Sequence, residues 1–531
     1  MTDPALLSVV AQSLGAIAEE MSRNLIRSAY STIVREARDA STVLLTPGGE
    51  VVAQGERTIP ILLGAFAPLV DGFRAAGVLD GISPGEALIT NDAYAGGQHL
   101  DDVVLMLPIF DDQGVLGWSA SLAHQLDLGA GSPGIHPKAR EIYEEGLRIP
   151  PLRIDLEREL GPGGVLAALL TANIRVPDQT MGDLRAQVAA LRTGERRLLG
   201  LARRYGRGAL LGSMDALLAY TESMMRSAIA EVPDGRYTAE EWMDDDGYSD
   251  QPLRVEVTIE VSGDHVHVDC AGTDPQAVGP VNAPLGSTLS TVHTALRYLL
   301  LEPVIPANQG GWRPVTIDVP PGTLLNPRFP AAVGTRMSAV FKLLDAMLVA
   351  MAPVLPDAVI APSYSSIAAV ALSRKTADGH QLYREAIGGG YGAGPDYDGA
   401  SGAAITLTNT ANTPVEFTER MHPYFMIEGY RLVERSGGGG RFTGGMGVEK
   451  TYRILEDDVL FAAYADRHRA GPRGIAGGQD GARGQFLLET DNSSIELPSK
   501  VIHPTRRGDR IRVITGGGAG YGPVAQPGDP E

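Results

Sequence analysis

Asn91-Asp92-Ala93-Tyr94-Ala95-Gly96-Gly97-Gln98-His99-Leu100-Asp101-Asp102 opens the stretch on which the reading of this chain turns. It continues through an apolar run from Val103 to Phe110, the turn Asp111-Asp112-Gln113-Gly114, a second apolar run from Val115 to Ala123, and His124-Gln125-Leu126-Asp127. Two apolar runs joined by a short polar turn predict an antiparallel hairpin. With the turn centred between Asp112 and Gln113, Asp102 faces Ala123 and His99 faces Leu126. A slip of one residue changes the face each side chain takes but leaves the two ends of the hairpin adjacent. The hairpin therefore carries two His-x-x-Asp segments, His99 to Asp102 and His124 to Asp127, to its open end. Imidazole and carboxylate are common protein ligands of zinc, manganese and iron. Two histidines with one or two carboxylates fill three or four coordination positions and leave room for water or substrate. On spacing alone, a second reading stands level with this one: His99 and His124 cap strand ends through backbone hydrogen bonds.

Working outward, residues 5–31 repeat Leu6, Val10, Leu14, Ile17, Met21 and Leu25 at helical spacing, an amphipathic helix. Thr42–Leu45 and Val51–Ala53 flank Pro47-Gly48-Gly49 and predict a hairpin. Helices are expected over Leu62–Ala76 and over Thr180–Val232, the latter with a break near Gly206–Gly212. Residues 253–271 alternate apolar and polar, as a strand does. Two more apolar helices follow, near Thr291–Leu301 and Ser338–Val354. The last third is punctuated by Gly437–Gly440, Gly444-Gly445, Gly477-Gly478 and Gly516–Gly518, the mark of tight turns between short strands. The fold class is mixed α+β: a large multi-unit chain with helical segments around strand-rich units and a Gly-rich β C-terminal region. The units expected are 1–235, carrying the metal site, 236–430, and 431–531.

Composition bounds the function. Of 531 residues, 44% are hydrophobic and 21% charged, ordinary for a globular protein. With Lys+Arg 45 against Asp+Glu 64, the net charge of −19 disfavours nucleic acid or an anionic membrane as partner. The single cysteine, Cys270, excludes an internal disulfide and a Cys-rich zinc site, and reads as a small core residue. No basic-then-apolar leader is visible and no apolar run is long enough to span a bilayer, so a cytoplasmic location is expected.

Gly96-Gly97-Gln98-His99-Leu100-Asp101-Asp102 resembles the Gly-Gly-Thr-His-Leu-Pro-Asp signature of the hydantoinase B/5-oxoprolinase family, the N-methylhydantoinase B-type subunits. Glu36-Ala37-Arg38-Asp39-Ala40-Ser41 is similar to that family's Glu-Arg-x-Asp-Phe-Ser, and Glu145-Gly146-Leu147-Arg148-Ile149-Pro150 to its Glu-Gly-Leu-x-Ile-Pro. Asn173-Ile174-Arg175, Gly182 to Gln187, Asp244 to Gly247, Gly272-Thr273, Asn409-Thr410, Pro414 to Glu416, Gly444 to Gly447 and Gly516 to Gly518 continue the likeness in order along nearly the whole chain. The resemblance implies a heteromer, such as α2β2, with a hydantoinase-A-type ATPase subunit of the actin-like class. That partner, not this chain, binds ATP and phosphorylates a cyclic amide (a hydantoin, 5-oxoproline or lactam) at its carbonyl oxygen; the B-type subunit hydrolyses the activated ring. It also implies a divalent transition metal, zinc or manganese, at His99, Asp102 and His124, with Asp39 a further ligand. Asp39 or Asp127 then orients the attacking water or accepts its proton. Related acetone and acetophenone carboxylases imply one alternative, a subunit of a biotin-independent ketone carboxylase; a noncatalytic scaffold for the ATPase is a separate one. The sequence departs from the family pattern at Asp101, which replaces a frequent Pro, and at Gln125, which replaces a frequent second His.

Other signals read as structure. Gly390-Tyr391-Gly392-Ala393-Gly394 lacks the Lys-Ser/Thr of a phosphate loop and is expected to be a turn. His265, His267 and Asp269 share a strand face, expected to be solvated. His136 is an ordinary loop residue or lines the mouth of the site. Arg467-His468-Arg469 is expected to be a surface charge cluster.

Overall fold

A computed structural model of the chain describes residues 4–55, 59–377, 379–408 and 411–524; Asn409 and Thr410 lie outside the described residues. The strand-rich N-terminal part forms one antiparallel sheet from β1 (Ala40–Leu45), β2 (Val51–Gln54), β3 (Glu86–Thr90), β4 (Asp102–Asp111), β5 (Gly114–His124) and β6 (Leu152–Asp155). Their order is β2-β1-β5-β4-β3-β6, with the predicted hairpin β4–β5 at the centre. Val103, Leu105, Leu107 and Ile109 of β4 enter one core, Val104 and Met106 another. A strand covered on both faces has no polar side to show, which is why this hairpin reads as two unbroken apolar runs.

The first of those cores is closed by helices. α1 (Pro4–Ser28) buries Val10, Leu14, Ile17, Met21 and Leu25, the stripe its periodicity predicts. Short elements follow: α2 (Thr32–Arg35), α3 (Phe66–Ala75), α4 (Leu156–Leu160) and α5 (Val165–Asn173). α6 (Pro177–Tyr205) and α7 (Arg207–Ala230) form the long helical stretch, broken at Gly206, whose φ of +85° is left-handed. The second core lies between the other face of the sheet, α8 (Leu285–Leu300), α9 (Met337–Met351) and a second sheet. That sheet contains β7 (Gly235–Met243), β8 (Leu253–Ser262), β9 (His265–Asp269) and β10 (Val315–Asp318), in the order β10-β9-β8-β7, with β9 and β10 parallel.

Two further sheets are threaded through one another. β11 (Ala368–Thr376), β12 (Gly379–Ile387), β15 (Val459–Tyr464) and β18 (Lys500–Thr505) are ordered β12-β11-β15-β18. β13 (Phe425–Leu432), β14 (Val448–Ile454), β16 (Gln485–Thr490), β17 (Ser493–Leu497) and β19 (Arg510–Ile514) are ordered β13-β14-β19-β16-β17, and α10 (Val415–Met421) precedes them. Strands from both sides of residue 430 thus share a sheet. The architecture is α+β throughout, as the sequence predicts.

The glycine segments near 390, 444 and 518 lie backbone against backbone. Gly390 N–H donates to the Gly516 carbonyl and Gly518 N–H to that of Gly445. A Cβ on Gly444 would stand 2.0 Å from the Gly518 carbonyl oxygen, so a side chain there has no room. Cys270 is fully buried. His265 and His267 pair with Asp264 and Asp318 on an exposed face. Arg467 corrects the sequence reading: it is not part of a surface cluster but is buried, 2.8 Å from Asp345 and 3.3 Å from Glu241. Its neighbours come from α9 and β7, too distant in sequence to be seen locally.

Candidate metal centre

The register of the hairpin differs from the expected one at the end that matters. Near the turn Phe110 pairs with Val115, but a bulge follows, and Ile109 pairs with Gly117. Leu116 is the extra residue. The shift carries to the open end, where Asp102 faces His124 rather than Ala123. On the other side of β5, Ala40 of β1 pairs with Ala123, and the His124 N–H donates to the Asp39 carbonyl at 3.1 Å. Three neighbouring strands therefore present Asp39, His124 and Asp102 side by side. His99 is added by the loop before β4. Its backbone is fixed by Asn91, whose amide donates to the Leu100 and Leu147 carbonyls while its oxygen accepts from Ile149 N–H. Gly96, at φ +90°, lets this loop lie against α3, since a Cβ there would be 2.1 Å from the Pro68 carbonyl oxygen.

The side chains converge. His99 Nε2 and His124 Nδ1 are 3.1 Å apart, and each is 3.2 Å from Asp102 Oδ1. Asp39 Oδ2 lies 3.9 Å from His124 Nδ1. Donor atoms around a cation with bonds of about 2.0–2.1 Å are about 2.8–3.0 Å apart in octahedral and about 3.3–3.4 Å apart in tetrahedral geometry. The His99–His124–Asp102 triangle falls between the two, and Asp39, Asp102 and His124 group within reach of one ion. Asp101 sits on the opposite edges of the two rings, its Oδ2 3.6 Å from His124 Nε2 and 3.8 Å from His99 Nδ1. His136 Nε2 is 3.8 Å from the other oxygen of Asp101.

Burial sets the charge states. It lowers the pKa of His99, reinforced by Arg336, and that of His124, reinforced by Arg384. Both shifts favour the neutral imidazole, the form that ligates metal. Burial opposes ionisation of Asp102, but His99 and Arg336 outweigh it and hold the carboxyl well below its usual range. Asp101 is likewise held low, against burial, by His136 and Arg384. Asp39 is raised by burial; its side chain keeps 23% exposure, against 2–5% for Asp101, Asp102 and the two histidines, so it marks the open side of the cluster. Glu145, 1% exposed, is pushed up to about 8 by burial; its Oε1 accepts from Val333 and Gly334 N–H. Buried polar atoms without a hydrogen-bond partner gather here: His124 Nε2, His136 Nε2, Gln98 Nε2 and Glu145 Oε2. Such atoms are rare in folded proteins and fit a centre that orders further ligands. The donor set is therefore suited to a divalent transition metal.

Of the residues singled out in the sequence, the structure brings together His99, Asp102, His124 and Asp39. Asp127 goes elsewhere: its Oδ2 accepts from Arg175 N–H at 2.6 Å and its Oδ1 from the Arg175 guanidinium at 2.8 Å, tying the chain after β5 to the start of α6. Sequence reasoning missed Asp101 as a member of the cluster, noting it only as a replacement for proline. It also missed Arg336 and Arg384. Arg336 Nη2 donates to Asp102 Oδ2 at 3.0 Å, and Arg384 Nη1 to Asp101 Oδ2 at 2.9 Å. Tyr464, buried beside these groups, belongs to the same surroundings, since Arg384, Arg336, Asp39 and Asp101 all act on its phenol.

Fold and cluster together define an α+β protein, with four sheets among the described residues, that buries a histidine–carboxylate centre at the open end of a long hairpin. The chain belongs to the Hydantoinase B/oxoprolinase family, whose profile matches residues 3–524. A chain of a Pseudomonas sp. assigned as the B component of a D-/L-hydantoinase is 32% identical over 98% of this chain and 90% of its own length. The crystal structure of the ATP-dependent caprolactamase of Pseudomonas jessenii superposes with a TM-score of 0.89 at 27% identity, covering 98% of this chain and 92% of that one. The nucleotide-free structure of acetone carboxylase superposes at 0.85 over 98% of this chain and 76% of that one; at 17% identity this is a likeness of fold alone.

Proposed function

We propose that this chain is the metal-dependent hydrolytic subunit of an ATP-dependent cyclic-amide hydrolase, acting on a hydantoin, 5-oxoproline or lactam ring that a partner ATPase subunit has phosphorylated. The observation that carries the reading is the triangle of His99 Nε2, His124 Nδ1 and Asp102 Oδ1, with sides of 3.1–3.2 Å, in a chain whose relatives include a hydantoinase component and a caprolactamase. A partner is supported by the names of those relatives, each of which denotes one component of a multi-chain enzyme. Among the described residues no helix is long and apolar enough to cross a membrane.

An amide resists water because its carbonyl is a poor electrophile and its nitrogen a poor leaving group. Phosphorylation of the oxygen answers the first difficulty. A divalent cation, zinc or manganese by donor type, supplies Lewis acidity and a water of lowered pKa. His99 and His124 offer neutral lone pairs, and Asp102 a carboxylate that stays ionised. Asp39 is the most open carboxylate of the group, the one that a water can reach. We assign it to the water that attacks the carbonyl carbon, as acceptor of that water's proton. Asp127, committed to Arg175, acts by positioning the segment that follows His124.

Elemental analysis tests the centre. The purified chain should carry one divalent transition metal, lost in His99→Ala/His124→Ala and retained in Asp127→Asn, whose effect should be confined to stability. Asp39→Ala should lose turnover with the partner and ATP. Folded wild-type protein that takes up neither zinc nor manganese would remove the metal from the reading, and an Asp39→Ala protein with full turnover would remove the base. The ketone carboxylase alternative rests on likeness of fold, and bicarbonate-dependent consumption of a ketone would establish it instead.

A further inference from the structure

Two guanidinium groups flank the centre, and neither has a part in the hydrolysis proposed so far. Arg336, just before α9, and Arg384, on β12, are both more than nine-tenths buried. Arg336 donates from Nη2 to Asp102 and from Nε to Ser287 Oγ. Arg384 donates from Nη1 to Asp101 and to the Gly134 carbonyl. Arg336 lies toward His99 and Asp102, Arg384 toward His124 and Asp101, and both act on Asp39, the open carboxylate. A guanidinium has five N–H donors in a fixed fork. Arg336 Nη1 and Arg384 Nε and Nη2 hydrogen-bond to none of the described residues. Two buried guanidinium groups with donors to spare favour an anion over a neutral ring.

We propose that Arg336 and Arg384 form a clamp for a phosphate oxyanion, the phosphoryl group of the activated amide, with their free N–H donors turned to its oxygens beside Asp39. The inference rests on the hydrolase reading, and it makes the phosphorylated compound, not the neutral amide, the ligand for which the site is built. Arginine suits the role because its planar fork meets two oxygens of one group at once. A substrate carboxylate is the other anion that such a fork accepts.

Titration calorimetry of the full-length chain, zinc-loaded, with inorganic phosphate and with acetate decides between them. Wild-type protein should bind phosphate saturably and acetate at least about tenfold more weakly. Arg384→Gln should weaken phosphate by about tenfold or more, and Arg384→Lys, which keeps the charge without the fork, should fall between. If Arg384→Gln does not fold, the Arg384→Lys comparison stands in its place. No phosphate binding by wild type, equal binding by the variants, or acetate held as tightly as phosphate each overturns the clamp. Turnover of wild type with the partner and ATP is read separately. Turnover without a phosphate effect removes the clamp alone, and phosphate binding without turnover removes the hydrolase reading alone.

Discussion

Glu145 shows what burial does to a single carboxyl, and its consequence is measurable. Its pKa is about 8 in the folded chain against an ordinary 4.5. Between those values the folded state keeps a proton that the unfolded state has released. The stability Glu145 contributes is therefore whole below pH 4.5 and is lost as pH rises through 8, at about 1.4 kcal/mol per pH unit within the window. In metal-free protein, the thermal midpoint of wild type should fall relative to that of Glu145→Gln between pH 5 and 8; parallel curves would refute the assignment. The glutamine oxygen can still accept from Val333 and Gly334, so the comparison isolates the charge. At this scale the sequence was informative where chemistry and spacing were local. His99, Asp102 and His124 could be read from one hairpin, and Asp39 from a motif. Arg336 and Arg384 could not, because α9 and β12 reach the cluster only through tertiary packing. Asp127 misled for the converse reason: it has the right spacing, but Arg175 takes both of its oxygens.

Among the elements, the β4–β5 hairpin was legible down to its turn, and only the bulge at Leu116 escaped. A bulge leaves no mark in an apolar run, yet it decides that Asp102 stands opposite His124. The helices α1, α6 and α7 were read from their periodicity, and the Gly206 break from its glycine. Ala368–Leu372 of β11 carries neither alternation nor helical spacing, because it is buried in the interior of its sheet. The loop before β4 yields a further prediction. Gly96 combines φ +90° with a carbonyl oxygen 2.1 Å from where a Cβ would be. Gly96→Ala should destabilise the chain by on the order of 3 kcal/mol or more, the scale of a strained and overpacked site. It should also weaken metal retention, since His99 is three residues away. Denaturant titration and chelator competition read the two effects, and unchanged metal affinity would show that His99 is placed independently of this loop.

Across the whole molecule, the centre belongs to no single stretch of chain. The hairpin face bearing Val104, Met106, Trp118 and Leu122 shares a core with α8, α9 and the β7–β10 sheet. Leu126 and Ile135, beside the site, pack on Ala369, Ala371, Leu382 and Tyr464 of the β12-β11-β15-β18 sheet. A fragment of residues 1–235 contains every proposed metal ligand but neither arginine, and it exposes that core face. It should hold metal far more weakly than the full chain in chelator competition and be cut rapidly by protease. A fragment that bound metal like the full chain would mark this region as an independent unit. The division of charge between early and late segments also bears on how the protein is made. During synthesis from the amino terminus, Asp39, His99, Asp101, Asp102 and His124 leave the ribosome first, as a knot of acids and imidazoles without counter-ions. Arg336 and Arg384 emerge only after most of the chain has been translated. Until then the half-site lacks the two buried cations that pair with Asp101 and Asp102, so the centre is completed only once the late segments have packed against the hairpin.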